Sequence, residues 1–494
     1  MKKSLAALVV ALPLMSFASE YDIKSRTFFT AIPQFQAGTP EREALFRDHF
    51  VMNDTKRLVF EAVAYGGKSH NSNRLAQYFL PFGKCELLVA EDGASDVASR
   101  DVDAVHLNIA HDAPGNTFQS KVKFIFEQDV FGIGLAARAR IFKEKDSKWW
   151  VAASAPIEVV RNKAKLCETI EDAGGTLESA LVPRVANVTQ AFKQTIWEFG
   201  RIDGEHHSRT RIADIELQVG YQWKTTGKSH GESYIGLVIP TGNKPEGKLV
   251  FEPIVGNNQH FGIMTGSMLA EEFYNDGIDS FYFIITGNSQ YLFENSQVRS
   301  FDLTDKQWGR YMEVYVNKDA AQAAFNASTP ATGDIGSPGI NVFTRCLRVT
   351  PRFLHRYNLA LLYKHKPWHL EGGYNLTSRQ AEKVRLEKCL SGPALVAKGG
   401  SGQTTKARTI NHGANAVDDF PLSQYAILAR EDLDITSAAH PALISSVLYL
   451  SLGYQKNSKD SWSPMLGIGG SYEFSGDNTT LDRWTAWFKA GVVY

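Results

Sequence analysis

Stretches of roughly ten to twelve residues in which apolar and polar side chains alternate recur along this chain, and they restrict its fold more tightly than any other feature. From Ile212 to Trp223, Ala213, Ile215, Leu217, Val219, Tyr221 and Trp223 share one face, while Asp214, Glu216, Gln218, Gly220 and Gln222 share the other. Phe131 to Ile141 repeats the pattern, with Arg138 and Arg140 on the face opposite Phe131, Ile133, Leu135, Ala137 and Ala139. Leu448, Leu450, Leu452 and Tyr454 alternate in the same way, as do Leu466, Ile468, Tyr472 and Phe474. Successive side chains leave a strand on opposite faces, so period two means β structure. Strands of water-soluble domains run to about five or six residues. A tilted strand needs ~9–11 to cross a bilayer. Length and alternation together predict an all-β chain whose strands cross a membrane as a closed antiparallel barrel, because an open sheet edge in hydrocarbon leaves backbone groups unsatisfied.

Further candidate strands lie at 57–64, 117–127, 149–159, 231–240, 259–270, 279–287, 340–350, 355–365 and 367–377. With the four segments above and a C-terminal strand, the expected count is about fourteen, in a range of twelve to sixteen, joined by long loops and minor helices. Thr39-Pro40-Glu41 has the residue order of a helix start. Val185, Val188, Phe192, Ile196 and Phe199 have helical spacing and predict a helix that covers the barrel rim or another loop, the alternative being a plug in the lumen. Thr241-Gly242-Asn243 and Gly256-Asn257-Asn258 read as turns.

At the other end of the chain, Lys2 and Lys3 precede an apolar core from Leu5 to Met15, and Ser16 and Ala18 stand two apart. This is the layout of an export signal, with cleavage expected after Ala18, and the run is short of the ~20 residues of a spanning helix. The last residues are Ala486, Phe488, Ala490, Val492 on one face and Trp487, Lys489, Gly491, Val493 on the other, ending in Tyr494. That strand resembles the assembly signal of bacterial outer-membrane β-barrel proteins of the porin-like class, carried here by Phe488, Val492 and Tyr494. The resemblance covers about nine residues, has Tyr where Phe is commoner, and points to no particular family. It implies a chain in the cell outer membrane, surrounded by lipid, inserted by that class's assembly machinery, with its last strand ending in the periplasm. Residues 1–18 are then a signal peptide, 19–55 an N-terminal segment lying in the periplasm or plugging the lumen, and 56–494 the barrel with long extracellular loops. On that orientation the turn at 457–463 is periplasmic and the segment 388–440 extracellular.

Arg138, Arg140, Asp214, Glu216 and Gln218 are the candidate site residues. Turning an arginine to lipid near the midplane costs roughly 2–4 kcal/mol, so these groups are expected to face the lumen, either lining a pore or pairing to fill it. The 53 basic and 53 acidic residues cancel, which argues against a nucleic-acid partner and against strong ion selectivity. Glu205-His206-His207 reads as an exposed loop rather than a metal site, because adjacent histidines in extended chain diverge. No nucleophile elbow or zinc helix occurs, so neither catalysis nor a cofactor is expected. Cys85, Cys167, Cys346 and Cys389 allow three pairings, between which the spacing does not choose. The expected function is a channel for a small solute of unknown identity. The alternative is a binding or structural barrel with a filled lumen, and homo-oligomerisation is left open.

Overall fold

The computed structural model describes residues 24–45, 57–91, 93–109, 117–144, 147–176, 184–226, 228–317, 319–320, 336–388, 395–397, 425–456 and 462–494. The signal segment, Cys389, the middle of the 388–440 segment and the turn at 457–461 lie outside them. Among the described cysteines, Cys85, Cys167 and Cys346 are unpaired.

Twelve strands of the described residues form the barrel: β1 (Leu58–Ser69), β2 (Gln119–Glu144), β3 (Ser147–Asp172), β4 (Ile215–Thr226), β5 (Ser229–Ile239), β6 (Gly262–Asn275), β7 (Asp279–Leu292), β8 (Arg352–His365), β9 (Trp368–Arg379), β10 (Leu443–Gln455), β11 (Ser463–Phe474) and β12 (Arg483–Val493). Each pairs antiparallel with its neighbours in sequence, and β1 pairs β12 from Val59↔Val493 to Ser69↔Arg483, which closes the cylinder. Closure removes the two edges an open sheet would present to lipid.

Two of the fourteen expected strands are accounted for differently. The segments 117–127 and 131–141 are one 26-residue strand, β2, because Gln128, Asp129 and Val130 continue the pairing with β3 without a break. The segment 340–350 supplies Thr344–Thr350, which lies off the barrel in a three-stranded sheet with Asn295–Ser300 and Lys383–Leu386. The alternation read between Ile212 and Trp223 is also interrupted. β4 starts at Ile215, and Ala213 and Asp214 are both buried at a break after the strand His206–Ile212.

The barrel exterior is apolar. Phe131 and Ile133 are each 53% exposed, and Leu217, Val219, Leu450, Ile468, Trp484 and Phe488 also point out. Residues between them point in and are buried, as Glu61, Glu216, Asn358, Glu371 and Lys489 show. This is the inside-out pattern of a barrel whose solvent is hydrocarbon.

The two ends differ. At one, β2–β3, β4–β5, β6–β7, β8–β9 and β10–β11 are joined by connections of nine residues or fewer, and β1 begins beside the end of β12. At the other, every connection but the eight residues between β11 and β12 runs to 22 residues or more, and β2 and β3 overshoot their neighbours. Here the loops build a roof with its own core, in which Phe79, Phe124, Phe192, Phe251, Trp308 and Tyr311 are buried. Ring contacts such as Phe192–Trp308 at 5.8 Å and Trp197–Tyr311 at 4.9 Å join loops distant in sequence.

The helix expected at 185–199 shrinks to Val188–Ala191. Asn187 caps it by accepting from the Gln190 N–H, and it gives way to tight turns, with Gln194 N bonded to Ala191 O and Trp197 N to Gln194 O. The β-branched Val188, Thr189, Thr195 and Ile196 are poor helix formers. The tighter turns still deliver Val188, Phe192 and Trp197 to the roof core. At the N-terminus, Pro40–Glu43 does form a single helical turn.

Candidate functional site: a lumen threaded by the N-terminal segment

Residues 24–45 run through the lumen from the roof to the short-turn end. At the roof, Arg26 N–H donates to Tyr78 O and Thr27 N–H to Ser437 O. Where the strap enters the barrel at the loop end of β12, Arg483 donates to Ile32 O at 3.0 Å, and Gln34 Nε2 donates to Thr485 Oγ1 at 2.7 Å. At the far end, Leu45 packs with Val59, Met465 and Val493, beside the first and last strands. This strap therefore travels antiparallel to β1, which follows it in sequence.

Charged wall groups hold the strap by its backbone. Glu216 accepts from Ala37 N–H at 3.0 Å, and Glu371 from Leu45 N–H at 2.7 Å. Lys489 donates to Arg42 O at 3.1 Å and to Ala44 O at 2.9 Å, while Asn375 donates to Gly38 O at 2.6 Å. Arg356, wholly buried, donates to Gln36 Oε1 at 2.9 Å. Hydrogen bonds to charged partners contribute about 1.5–3 kcal/mol each, and a buried charge left without one is costly.

Apolar contact adds to this. Phe35 stacks on Tyr65 with ring centroids 5.7 Å apart and planes 5° from parallel. Both rings lie over glycines of β2. A Cβ at Gly132 would stand 2.4 Å from the Tyr65 ring, and one at Gly134 2.4 Å from Phe35. These glycines are the gaps in the wall that admit the strap.

The structure distributes the sequence-derived site residues among different roles. Glu216 touches the strap and also accepts from Gln290 Nε2 at 3.2 Å. Arg138 points inward, where it binds Glu232 at 2.6 Å and stacks 3.6 Å from the Trp150 ring centroid. Gln218 is buried beside Met264. Arg140 is half-buried near the short-turn end of β2. Asp214 lies at the break before β4 and accepts from both the backbone and side chain of Asn257, at 2.8 and 2.7 Å. That contact needs Gly256, which has φ +74° and whose Cβ would stand 2.9 Å from the Asp214 carboxylate. Phe488 on the last strand and Tyr494 just after it point outward, and Tyr494 meets Trp462 edge to face at 5.7 Å. Val492 is half-buried there. His207 pairs with Asp203 at 2.8 Å on the exposed His206–Ile212 strand, and no metal-ligating cluster occurs among the described residues.

Sequence reasoning missed Lys489, Arg356, Glu371, Asn375 and the strap itself as site residues. The wall groups left a signal. Within the candidate strands 355–365 and 367–377, Arg356 and Asn358, and then Glu371 and Asn375, fall on the face opposite the large apolar side chains.

Under the roof, His260 Nδ1–H donates to Phe293 O at 2.7 Å, and its Nε2 lies 2.7 Å from Gln297 Nε2. The neutral ring satisfies both contacts, whereas a second proton would face the Gln297 amide N–H. Burial holds the His260 pKa at about 4, below the usual 6.5. The neutral form is thus favoured by folding. Its contribution, roughly 3 kcal/mol, is complete above pH 6.5 and is lost as pH falls from there towards 4. Amide exchange of the 258–300 segment is expected to rise steeply over that interval. His260→Asn should flatten the rise, and an unchanged acid response in that variant would rule His260 out as its source.

A closed twelve-stranded barrel, apolar outside and polar inside, is the fold this chain shares with bacterial outer-membrane β-barrel proteins. Solved structures similar to it include the transport unit of the Escherichia coli autotransporter AIDA-I, at 8% identity and TM-score 0.33 over 92% of this chain and 95% of that one. A deltaS2 mutant of the monoaromatic hydrocarbon channel TodX matches at 8% identity and TM-score 0.34, over 96% and 99% of the two chains. A Pseudomonas aeruginosa FadL homologue matches at 8% identity and TM-score 0.28, over 89% and 90%. Identities and scores this low carry no residue roles to this chain. No protein-family model matches it, and no curated protein matches it.

Proposed function

We propose that this chain is an outer-membrane channel for small solutes, held shut by its own N-terminal strap. The observation that carries the reading is how the strap is bound. Between Gln34 and Leu45 it is fixed to the wall by polar contacts with Glu216, Lys489, Asn375, Arg356 and Glu371, which water or a polar solute can replace. A lumen meant only to be filled is more simply built from packed apolar side chains, since buried charges add little net stability. Twelve strands also enclose more room than the eight whose side chains fill a barrel.

In this reading the short-turn end faces the periplasm and the roof faces outward, as short and long connections are divided in such barrels. Lipid surrounds the apolar band, and the Phe488–Tyr494 strand serves as the insertion signal for the assembly machinery. No catalytic role is assigned to the lumen. A second reading, a binding barrel whose roof meets a partner, draws on the aromatic core that closes the loop end.

Gly134→Leu separates the two. Leucine at 134 occupies the place of Phe35 and forces the strap off the wall. In planar bilayers the wild type is expected to be almost silent and the variant to show discrete open steps. Gly287→Ala, whose added Cβ meets only Tyr357 at 3.7 Å, should stay silent. A folded Gly134→Leu barrel that passes no current would favour the binding reading.

A further inference from the structure

The lipid-facing wall is not evenly convex. A trough of about 950 Å³ crosses it from the short-turn end of β1 to the loop end of β8, lined by Ala137, Ala153, Leu217, Leu237, Ile263 and Tyr291 among others. Its floor is low because Ala137 on β2 pairs directly with Ala153 on β3, both pointing outward where neighbouring positions carry Leu135 and Ile157. The volume falls within the ~300–1,000 Å³ of ordinary ligand sites.

At the loop end of this apolar surface stands a polar pair. Ser289 on β7 and His355 on β8 are cross-strand partners on the outward face, with Ser289 Oγ 2.8 Å from His355 Nδ1. The His355 ring stacks on Phe353, with centroids 5.6 Å apart and planes at 8°, and on Tyr357 at 6.4 Å and 16°. One step nearer the roof along the same strands come Tyr291 and Phe353, with Phe261 and Phe293 stacked beside them at 5.9 Å. Aromatic belts of this kind sit at headgroup level. Two residues along a strand tilted by ~40° descend about 5 Å. That puts Ser289 and His355 just beneath the headgroups, at the depth of the carbonyls that join acyl chains to a lipid.

We propose that the trough binds one acylated lipid of the surrounding leaflet, its chains along the alanine floor and an acyl carbonyl at His355. With the Ser289 hydroxyl as donor to Nδ1, the ring proton rests on Nε2, the tautomer that offers a donor to a carbonyl oxygen. Ring stacking holds that donor at the surface. The site uses the outer wall alone and does not depend on whether the lumen conducts.

The test is native mass spectrometry of the full chain after reconstitution in phosphatidylethanolamine–phosphatidylglycerol vesicles and extraction into detergent. The wild type is expected to keep one phospholipid per barrel through washing. Ala153→Trp, which fills the floor, and His355→Leu, which removes the donor, should each lower the bound fraction at least five-fold. His355→Gln, which keeps a donor, should retain most of it, and Ile468→Trp on the far wall should change nothing. Equal retention in Ala153→Trp and His355→Leu, or no retained phospholipid in folded wild type, overturns the proposal.

Discussion

Deleting residues 24–45 should turn a nearly silent barrel into a conducting one, with a change in current well above ten-fold. Among the described residues the strap is lumen material that belongs to no strand, and it is bonded along its length to the wall as well as through short turns of its own. Its removal also strips Arg42 from Glu61, 3.6 Å away, and frees Glu216 and Glu371 from the backbone donors they now hold. The strap takes away three cationic side chains and two anionic ones, and its removal frees Lys489 and Arg356 along with Glu216 and Glu371, so the opened lumen should show only a weak cation preference, which Glu216→Gln in the deleted chain should lower further. Reversal potentials under a salt gradient measure it. A deleted barrel that conducts but prefers anions would show that the wall carboxylates do not set the field.

The second large effect is on stability. Arg299 is buried in the roof, where it binds Glu382 through Nη1 at 2.5 Å and donates to Ala438 O at 2.8 Å. Its guanidinium also lies 3.5 Å from the ring centroid of Phe28, on the strap. One cation thus ties the loops to the segment in the lumen. Burial alone would raise the Glu382 pKa, but the charges of Arg299, Arg379 and His440 outweigh it and hold the carboxyl at about 2. Arg299→Ala leaves that carboxylate buried without its main partner, a loss of about 3–5 kcal/mol. The double variant Arg299→Met, Glu382→Leu should recover most of this, because an apolar pair of similar volume spares the desolvation cost. The sign with pH follows from the depressed carboxyl. Its contribution is full above the ordinary value near 4.5 and disappears as pH falls through about 2. Urea unfolding followed by tryptophan fluorescence, with Trp197 and Trp308 in the roof, reads both effects. A loss below 1 kcal/mol in Arg299→Ala would mean that Glu382 has found another cation, and the strap would then be less firmly tied than described.

How much of this was written in the amino acids differs from part to part. The barrel was legible because its two solvents are opposite. Phe131, Ile133 and Leu135 must meet hydrocarbon and Gly132, Gly134 and Ala136 must not, so the pattern repeats with period two. Strand number was less legible. Gln128 and Asp129 fall between two expected strands, yet they lie where β2 passes the end of β1 and stays paired with β3, and polar residues there do not end the pairing. The strap was legible only as a question. Much of its attachment uses backbone groups, the N–H of Ala37 and Leu45 and the carbonyls of Gly38, Arg42 and Ala44, which every residue carries. Asp214 shows the same limit from the other side. Its alternation suited a strand, but a buried carboxylate takes the partner that satisfies it, here the Asn257 amides across the Gly256 turn.

A gated channel requires the strap to lie inside the lumen, and a disulfide across the lumen tests that. A Cβ at Gly38 would stand 3.3 Å from Cβ of Asn288 on β7, close to the ~3.8 Å of a disulfide. Its φ of +88° adds roughly 1–2 kcal/mol of strain for a side chain. With the four native cysteines replaced by serine, Gly38→Cys, Asn288→Cys should cross-link on mild oxidation of intact outer membranes and block maleimide labelling at both positions. If both thiols instead stay free and react with a periplasmic maleimide while the barrel is folded, the strap lies outside the lumen and the gated-channel reading fails.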